Sequence, residues 1–561
     1  MPAPSKSRTS ASDDTSSPLP SKPSSTLQVA PPVVELVSRT RLFPEDHTSS
    51  GVHETPLSIL DNFSVRFSLV HAAWYYDNPA GREGAFAPHS FLWSLRKTLN
   101  AYPQWAGQLQ WIPYDPSSGQ RIGRVSISYG SPTDPGIEVI LARCTTPMAA
   151  HVADGQTRIK AGVWCADHFS TAQILLPTNI ALWDFPVCEG RPGVSVQLTT
   201  FACGGVSIAL RIAHALADAT SLFQFVHDWA AIHRAVLDGC PLPVPAPIFD
   251  PRLLDKACLE AKDGAEPVRN VIHPVRSLPM ATHSSHPGDT SPACSSMTSA
   301  PRGPGACTDL TARAPRMPWA EWRIVAPASA HYHICFTPTE IQEIWEAVSA
   351  DTPARTRISR LDALLAFIWS LITRARSVPD ADDSAPARMV VAIGVRARLV
   401  PRLSDAFLGS PILLSLISLP GSEVAASPGA GAAAIRNTVS QYTSEAIGAV
   451  LNMARQSNSQ RFWRAFLGKR YTTVTSWVGL GGYKLDFGGG LPRYVDPVIP
   501  GIDGCIHVME AGPSTAAVGS SARPGSGDRW YDEPVCLSLH LATEVMDRLL
   551  LDPQLRKYRD E

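Results

Sequence analysis

The feature that most limits the fold is an interruption. Across residues 261–318 aliphatic side chains nearly vanish, and runs such as Ser-Ser-His-Pro-Gly and Pro-Arg-Gly-Pro-Gly carry the punctuation of a flexible linker. Hydrophobic periodicity resumes on either side. A chain of 561 residues is also too long for one compact core, so the break divides it into two folded halves. Residues 1–48 are dense in Ser, Thr, Pro and Lys and poor in aromatics, a composition that buries too little to offset chain entropy. The sequence therefore predicts a disordered tail (1–48), a first domain (49–238), a crossover and disordered linker (239–330) and a second domain (331–561). Gly/Ala/Ser-rich stretches at 427–434 and 513–527 read as surface-loop insertions.

Bulk composition removes several classes of function. Forty-nine basic residues balance 50 acidic ones without a basic cluster, so nucleic acid is not an expected partner. Apolar runs such as 411–417 fall well short of the ~20 residues of a membrane helix, and the chain is expected to be soluble. With no apolar signal-like segment near Met1 and no peroxisomal address at Arg559-Asp560-Glu561, the default expectation is the cytoplasm. Eleven cysteines without a CxxC pair suit reduced thiols. His331, His333 and Cys335 share one strand face, but no second cluster with ligand spacing accompanies them, so no metal site is expected.

Between Val206 and Ala213 apolar residues alternate at the two-residue period of a half-buried strand, and His214 continues the apolar parity. Ser221 and Gln224 have capping-box spacing ahead of Leu222, Phe225, Val226, Trp229 and Ile232, which recur at helical spacing. The segment His214-Ala215-Leu216-Ala217-Asp218 is thus a strand-to-helix turn, where a sheet fixes a side chain and a loop admits a ligand. Helices are also predicted over 91–99, from Thr337-Pro338 to about Ser349, and over 359–376; strands over 389–395 and 413–419. Trp93, Trp105, Trp369 and Trp463 read as core. Mixed elements in both halves give an α/β (α+β) architecture of two similar layered domains. A second unusual stretch, 475–490, holds six glycines between 479 and 490; it lacks the Gly-Lys-Ser/Thr ending of a phosphate loop.

Together, HALAD at 214–218 and Asp486-Phe487-Gly488-Gly489-Gly490 resemble the HxxxD and DFGWG signatures of the BAHD acyltransferases. Other segments agree: Leu57 to Asp61 is similar to the family's LSxLD, Leu95 to Gln108 to its YPxxAGxL helix, Ser359 to Arg376 to its DALxAxxWxxxTRAR segment, and Val395 to Leu399 with Leu408-Gly409 to its VRxRL and FGN elements. The resemblance implies two chloramphenicol-acetyltransferase-like domains, each a mixed sheet flanked by helices, with a solvent channel at their interface. It also implies acyl-CoA, acetyl-CoA above all, as co-substrate with no resident cofactor, a small alcohol or amine acceptor, and a monomer.

Carried over residue by residue, His214 is the general base, and Trp477 with Thr475 stabilises the oxyanion. Asp218 is a structural anion paired with Arg396 or Arg398. Asp486 and Gly488 hold the glycine-rich loop beside the pantetheine path, so that loop is expected close to the His214 ring. Arg374 and Arg376 are expected at a solvated helix end, with the CoA phosphates as alternative partners. The sequence departs from the pattern at Gly489, where plant members have tryptophan, at Ala219, where many have glycine, and at Ser410, where asparagine is usual. The missing tryptophan is expected to remove bulk near the channel. These departures look more like a fungal natural-product branch, similar to the trichothecene acetyltransferases. Two other readings stay open: a stand-alone peptide-synthetase condensation domain, although Ala213 and Ala219 replace its diagnostic flanks, and a non-catalytic acyltransferase-like binding protein.

Overall fold

The computed structural model describes residues 33–259 and 328–559, apart from 50, 65–68, 80–81, 83, 113–124, 169–170, 182–187, 355, 378–385, 457–470 and 513–528. Residues 1–32, the linker at 261–318, the expected insertion at 513–527 and Trp463 lie outside the described residues. The first half contributes β1 (Val34–Leu42), β2 (His53–Pro56), β3 (Val70–Tyr76), β4 (Gln108–Trp111), β5 (Val125–Tyr129), β6 (Ile137–Cys144), β7 (Val163–Cys165), β8 (Val194–Phe201) and β9 (Val206–Ile212). The second contributes β10 (Ser329–Phe336), β11 (Pro386–Gly394), β12 (Ile412–Pro420), β13 (Tyr471–Ser476), β14 (Tyr494–Asp496), β15 (Cys505–Glu510) and β16 (Val535–Ala542).

Two large mixed sheets result, ordered β1-β6-β8-β9-β3-β14 and β12-β11-β13-β15-β16-β10-β7, beside a small β2-β5-β4 sheet. The expected α/β pair of layered domains is present, but each large sheet borrows a strand from the other half. β14 pairs antiparallel with β3 and β7 with β10. A clean boundary between halves therefore does not describe the packing. Trp477, Tyr483, Leu485 and Phe487 accordingly sit in the hydrophobic core of the first half, against Trp74, Phe223 and Trp229.

The tail expectation fails over its last third. β1 lies within 1–48 yet forms a sheet edge along β6. Composition misses it because its Leu36 and Val37 are exposed; the backbone ladder and an Arg39–Glu138 ion pair at 2.8 Å hold it instead. Helix Pro251–Leu259 falls in the expected crossover and buries Leu254 against Leu60 and Phe407. Residues 427–434 are no loop insertion: helix Pro428–Ser440 starts there, and its Gly431 sits against Ala366 and Trp369, where small residues permit close approach of helix Arg360–Arg376. β9 is buried on both faces rather than one, because the 148–177 segment covers the face that carries Ala209. Thr337 and Ser359 each cap a helix through a reciprocal capping box. Trp105 and Trp369 are core, whereas Trp93 is exposed with Lys97 over its ring.

Candidate active site

His214 stands two residues beyond the end of β9, in the turn before the long helix Ala219–Asp238. That helix is capped by Asp218, whose carboxylate accepts from the Ser221 amide at 3.0 Å. The N-cap is therefore Asp218, three residues upstream of the expected Ser221. Asp218 is buried and accepts two N–H groups of Arg396, one of them at 2.9 Å. Arg396 also donates to the Phe407 carbonyl at 2.9 Å and to Ser221 Oγ at 3.0 Å. Arg398, the other expected partner, turns away to the Val439 and Tyr442 carbonyls at 3.1 and 3.4 Å. A carboxylate so fully engaged does not orient His214 by a direct hydrogen bond.

Ser410 performs that task, which the sequence showed only as a departure from the family pattern. Its Oγ lies 2.9 Å from His214 Nδ1 and donates to the His214 carbonyl at 2.5 Å. A hydroxyl has one proton to give. Because the carbonyl takes it, Oγ accepts from Nδ1–H, and the ring is the Nδ1–H tautomer with its lone pair on Nε2. Ser410 is in turn fixed by its backbone amide, which donates to Asp61 at 2.6 Å; Asp61 also accepts from Ser58 Oγ at 2.6 Å. Burial pushes the Asp61 carboxyl up to about 6 despite those bonds. The LSILD stretch, legible as a motif, thus supports the histidine through one intervening residue.

A cavity of about 280 Å³ opens where the two halves meet, near the lower end of small-molecule sites. His214, His71 and Thr220 line it from the first half, and Thr475, Trp477 and Ile502 from the second. Thr473 and Thr475 line it from β13, and Val474 between them borders it while packing in the second core. Trp477 packs edge-on against Phe223 at 5.4 Å and His507 at 4.4 Å. His214 is part-buried, and burial lowers its pKa below the ordinary histidine value against the opposing pull of its own carbonyl and Asp218. At neutral pH its imidazole is accordingly uncharged.

Leu480 of the glycine-rich stretch lines this cavity, but its Asp486–Gly490 end does not. Asp486 accepts from the amides of Gly488 and Gly490 at 2.6 and 3.0 Å, and both glycines have positive φ, at 91° and 97°. Arg234 donates to the Asp486 carbonyl and Arg82 to that of Gly488. Arg234 lies sixteen residues along the helix from Asp218, roughly 24 Å of helix axis. The expectation that the Asp486 loop lies close to the His214 ring is therefore corrected, since its Phe487 is inserted between Trp229, His233 and Tyr76 in the first core. Gly489 frees no channel volume either; a Cβ there would meet the Phe86 ring at 2.5 Å.

Arg374, whose side chain is 33% exposed, pairs with Asp552 at 2.9 Å, and Arg376, 11% exposed, pairs with Asp503 at 3.0 Å. His333 bonds Tyr494 at 3.2 Å and His331 bonds Ser538 at 2.7 Å. No group of three or more potential metal ligands occurs among the described residues, and no helix there is long and apolar enough to cross a membrane.

Two mixed-sheet domains that exchange strands around a cavity bearing a neutral imidazole define a two-domain acyltransferase fold. The Transferase family model matches residues 165–271 and 324–518, more than half of the chain, and the protein belongs to this family, the BAHD acyltransferases. It is 26% identical to the acyltransferase AFT15-1 of Alternaria alternata over 473 residues, 82% of this chain and 86% of that protein. It is 25% identical to the acyltransferase abl6 of Leptosphaeria maculans over 532 residues, 93% and 98% of the two chains. Vinorine synthase superimposes with a TM-score of 0.57 at 17% identity, covering 92% of this chain and 96% of that one. TRI101 of F. sporotrichioides, solved with coenzyme A and T-2, gives 0.58 at 16% identity, covering 90% and 99%.

Proposed function

We propose that the protein transfers an acyl group, acetyl in the first instance, from coenzyme A to a hydroxyl of a small secondary-metabolite acceptor, with His214 as general base. The observation that carries this reading is the Ser410–His214 arrangement on the wall of the interdomain cavity, which leaves Nε2 as the basic nitrogen. Coenzyme A and a small acceptor occur together in the TRI101 structure, which supports the same pair of substrates here.

In the reaction, Nε2 takes the proton of the acceptor hydroxyl as its oxygen attacks the thioester carbonyl carbon. The new C–O bond gives a tetrahedral oxyanion, toward which the Trp477 indole N–H and the Thr475 hydroxyl are the donors. Collapse breaks the C–S bond, and the imidazolium returns its proton to the leaving CoA sulfur. No acyl-enzyme forms. Such a positioned base contributes about 10²–10⁴-fold, and one oxyanion donor about 3 kcal/mol. Asp218 and Arg396 hold the turn that carries His214. Asp486 and Gly488 clamp the chain leading from Trp477 onto the first domain, acting at a distance from the chemistry.

The test is CoA release from acetyl-CoA with a panel of terpenoid, polyketide and phenolic alcohols, comparing the native chain with His214→Ala. Acceptor-dependent release that His214→Ala abolishes is the expected result. Equal inertness of both proteins, with CoA bound, would favour a non-catalytic binding protein.

A further inference from the structure

The cavity wall carries a second histidine that the reaction does not use. His71 lies on β3, is 8% exposed, and lines the same cavity as His214. Its Nε2 is buried with no hydrogen-bond partner among the described residues. Among the lining residues, Leu69 and Val70 precede it and Val498, Ile499 and Ile502 come from the chain that leaves β14, the strand paired to β3; the charged members of the lining are Asp218, Arg396 and Asp503. A buried polar nitrogen in such a wall lacks the partner that almost every buried polar group has. Its cross-strand neighbour is Arg211, likewise buried, with one N–H donated to the Leu176 carbonyl at 2.9 Å and with Nε and Nη2 lacking a hydrogen-bond partner among the described residues.

Resting on the transferase reading above, we propose that His71 is a specificity-determining residue. It hydrogen-bonds a second oxygen of the acceptor, remote from the hydroxyl that is acylated, and so selects uncharged, otherwise apolar molecules with at least two oxygen functions. Burial first, and the Arg211 charge second, hold the ring neutral, so it offers one donor and one lone pair rather than a charge. The guanidinium beside it disfavours an ammonium group at the same place and favours an oxygen. Aliphatic neighbours accept the carbon skeleton. An alcohol with a second oxygen therefore fits this wall better than a cationic amine.

The experiment uses the full chain, acetyl-CoA and matched probes: a terpenoid diol, the mono-ol of the same skeleton, and the amino-alcohol in which an ammonium replaces the second hydroxyl. The native protein should prefer the diol by roughly tenfold to a hundredfold in kcat/KM, the range of one buried hydrogen bond. His71→Phe should erase that preference through KM for the diol. His71→Gln, which keeps a donor and an acceptor, should restore part of it and covers the case in which His71→Phe fails to fold. A preference unchanged in folded His71→Phe, or a KM change confined to acetyl-CoA, overturns the proposal. Binding of the same diol and mono-ol is also followed by thermal shift. If the native protein releases no CoA yet binds the diol better than the mono-ol, and His71→Phe does not, the transferase reading falls and the His71 contact stands; equal binding of both probes by the native protein overturns the contact as well.

Discussion

The two signature aspartates look alike in sequence, yet they serve opposite ends of one helix in different ways. At the start of helix Ala219–Asp238, Asp218 is buried, caps the helix and pairs with a guanidinium from the other domain. Near its end, the Asp486 loop is held by backbone: two glycine amides bond the carboxylate, and Arg234 takes the carbonyl. The first arrangement ties the two domains together beside His214; the second anchors the segment that runs from Trp477 into the first core. A signature motif can thus lie away from the cavity and still fix a chain that lines it.

The sharpest way to break this contrast is to compare His214→Ala with Asp486→Ala. Loss of the base should lower kcat by about 10²–10⁴-fold with the melting temperature nearly unchanged. Loss of the remote carboxylate should lower the melting temperature and leave kcat per folded molecule within a few-fold. Comparable kcat losses in the two variants would place the Asp486 loop in the chemistry and end the distinction.

Next in size is the ion pair. Arg396→Met leaves Asp218 buried without its partner, a change that costs about 3–5 kcal/mol in buried pairs. Denaturant unfolding should record that loss. Adding Asp218→Asn should recover part of it, because the stranded charge is removed while the cap to Ser221 is kept. Full stability in the single variant would mean that water or another cation replaces Arg396.

How much of this was legible beforehand follows from what kind of force placed each part. His214, the strand before it and the helix after it follow from hydrophobic period and parity, and the domain pair follows from the linker. Asp218's structural role and an arginine partner followed from the family resemblance; the choice of Arg396 over Arg398 did not, because it depends on which way a short 3-10 turn at 396–398 presents each side chain. Strand exchange at β7 and β14 was invisible, since three-residue strands carry too little pattern. β1 was missed for the converse reason: a strand held by its ladder need not be apolar. The roles of Ser410 and His71 came only from geometry, one as a hydrogen bond across 196 residues and the other as a buried nitrogen without a hydrogen-bond partner among the described residues.

A smaller effect separates the glycines of the remote loop from the site. Gly488 has φ at 91°, and an added Cβ would meet Leu237 at 2.7 Å and Arg82 at 3.0 Å. Gly488→Ala should cost about 1–3 kcal/mol in backbone strain and contact, read as a lowered melting temperature with KM for acetyl-CoA unchanged. Restoring the family's tryptophan at Gly489 should destabilise the protein unless Phe86 is made small at the same time.

The smallest effect concerns protons at His214. Only the neutral imidazole can accept from the substrate, so kcat/KM should fall as pH falls through the pKa of the free enzyme. Burial is the main cause of that pKa and lowers it from the ordinary 6.5, so the acid limb should have its midpoint below 6.5 and activity should be flat through neutrality. Ser410→Ala removes the acceptor of Nδ1–H and frees the other tautomer, whose Nε2 carries the proton and cannot serve as base. One such hydrogen bond is worth about 1 kcal/mol, and kcat should drop roughly fivefold. The acid midpoint should nevertheless stay below 6.5, because the cavity wall that desolvates the ring is unaltered. A midpoint that rises to the ordinary histidine value in Ser410→Ala would show that the hydroxyl, rather than burial, sets the proton affinity of the base.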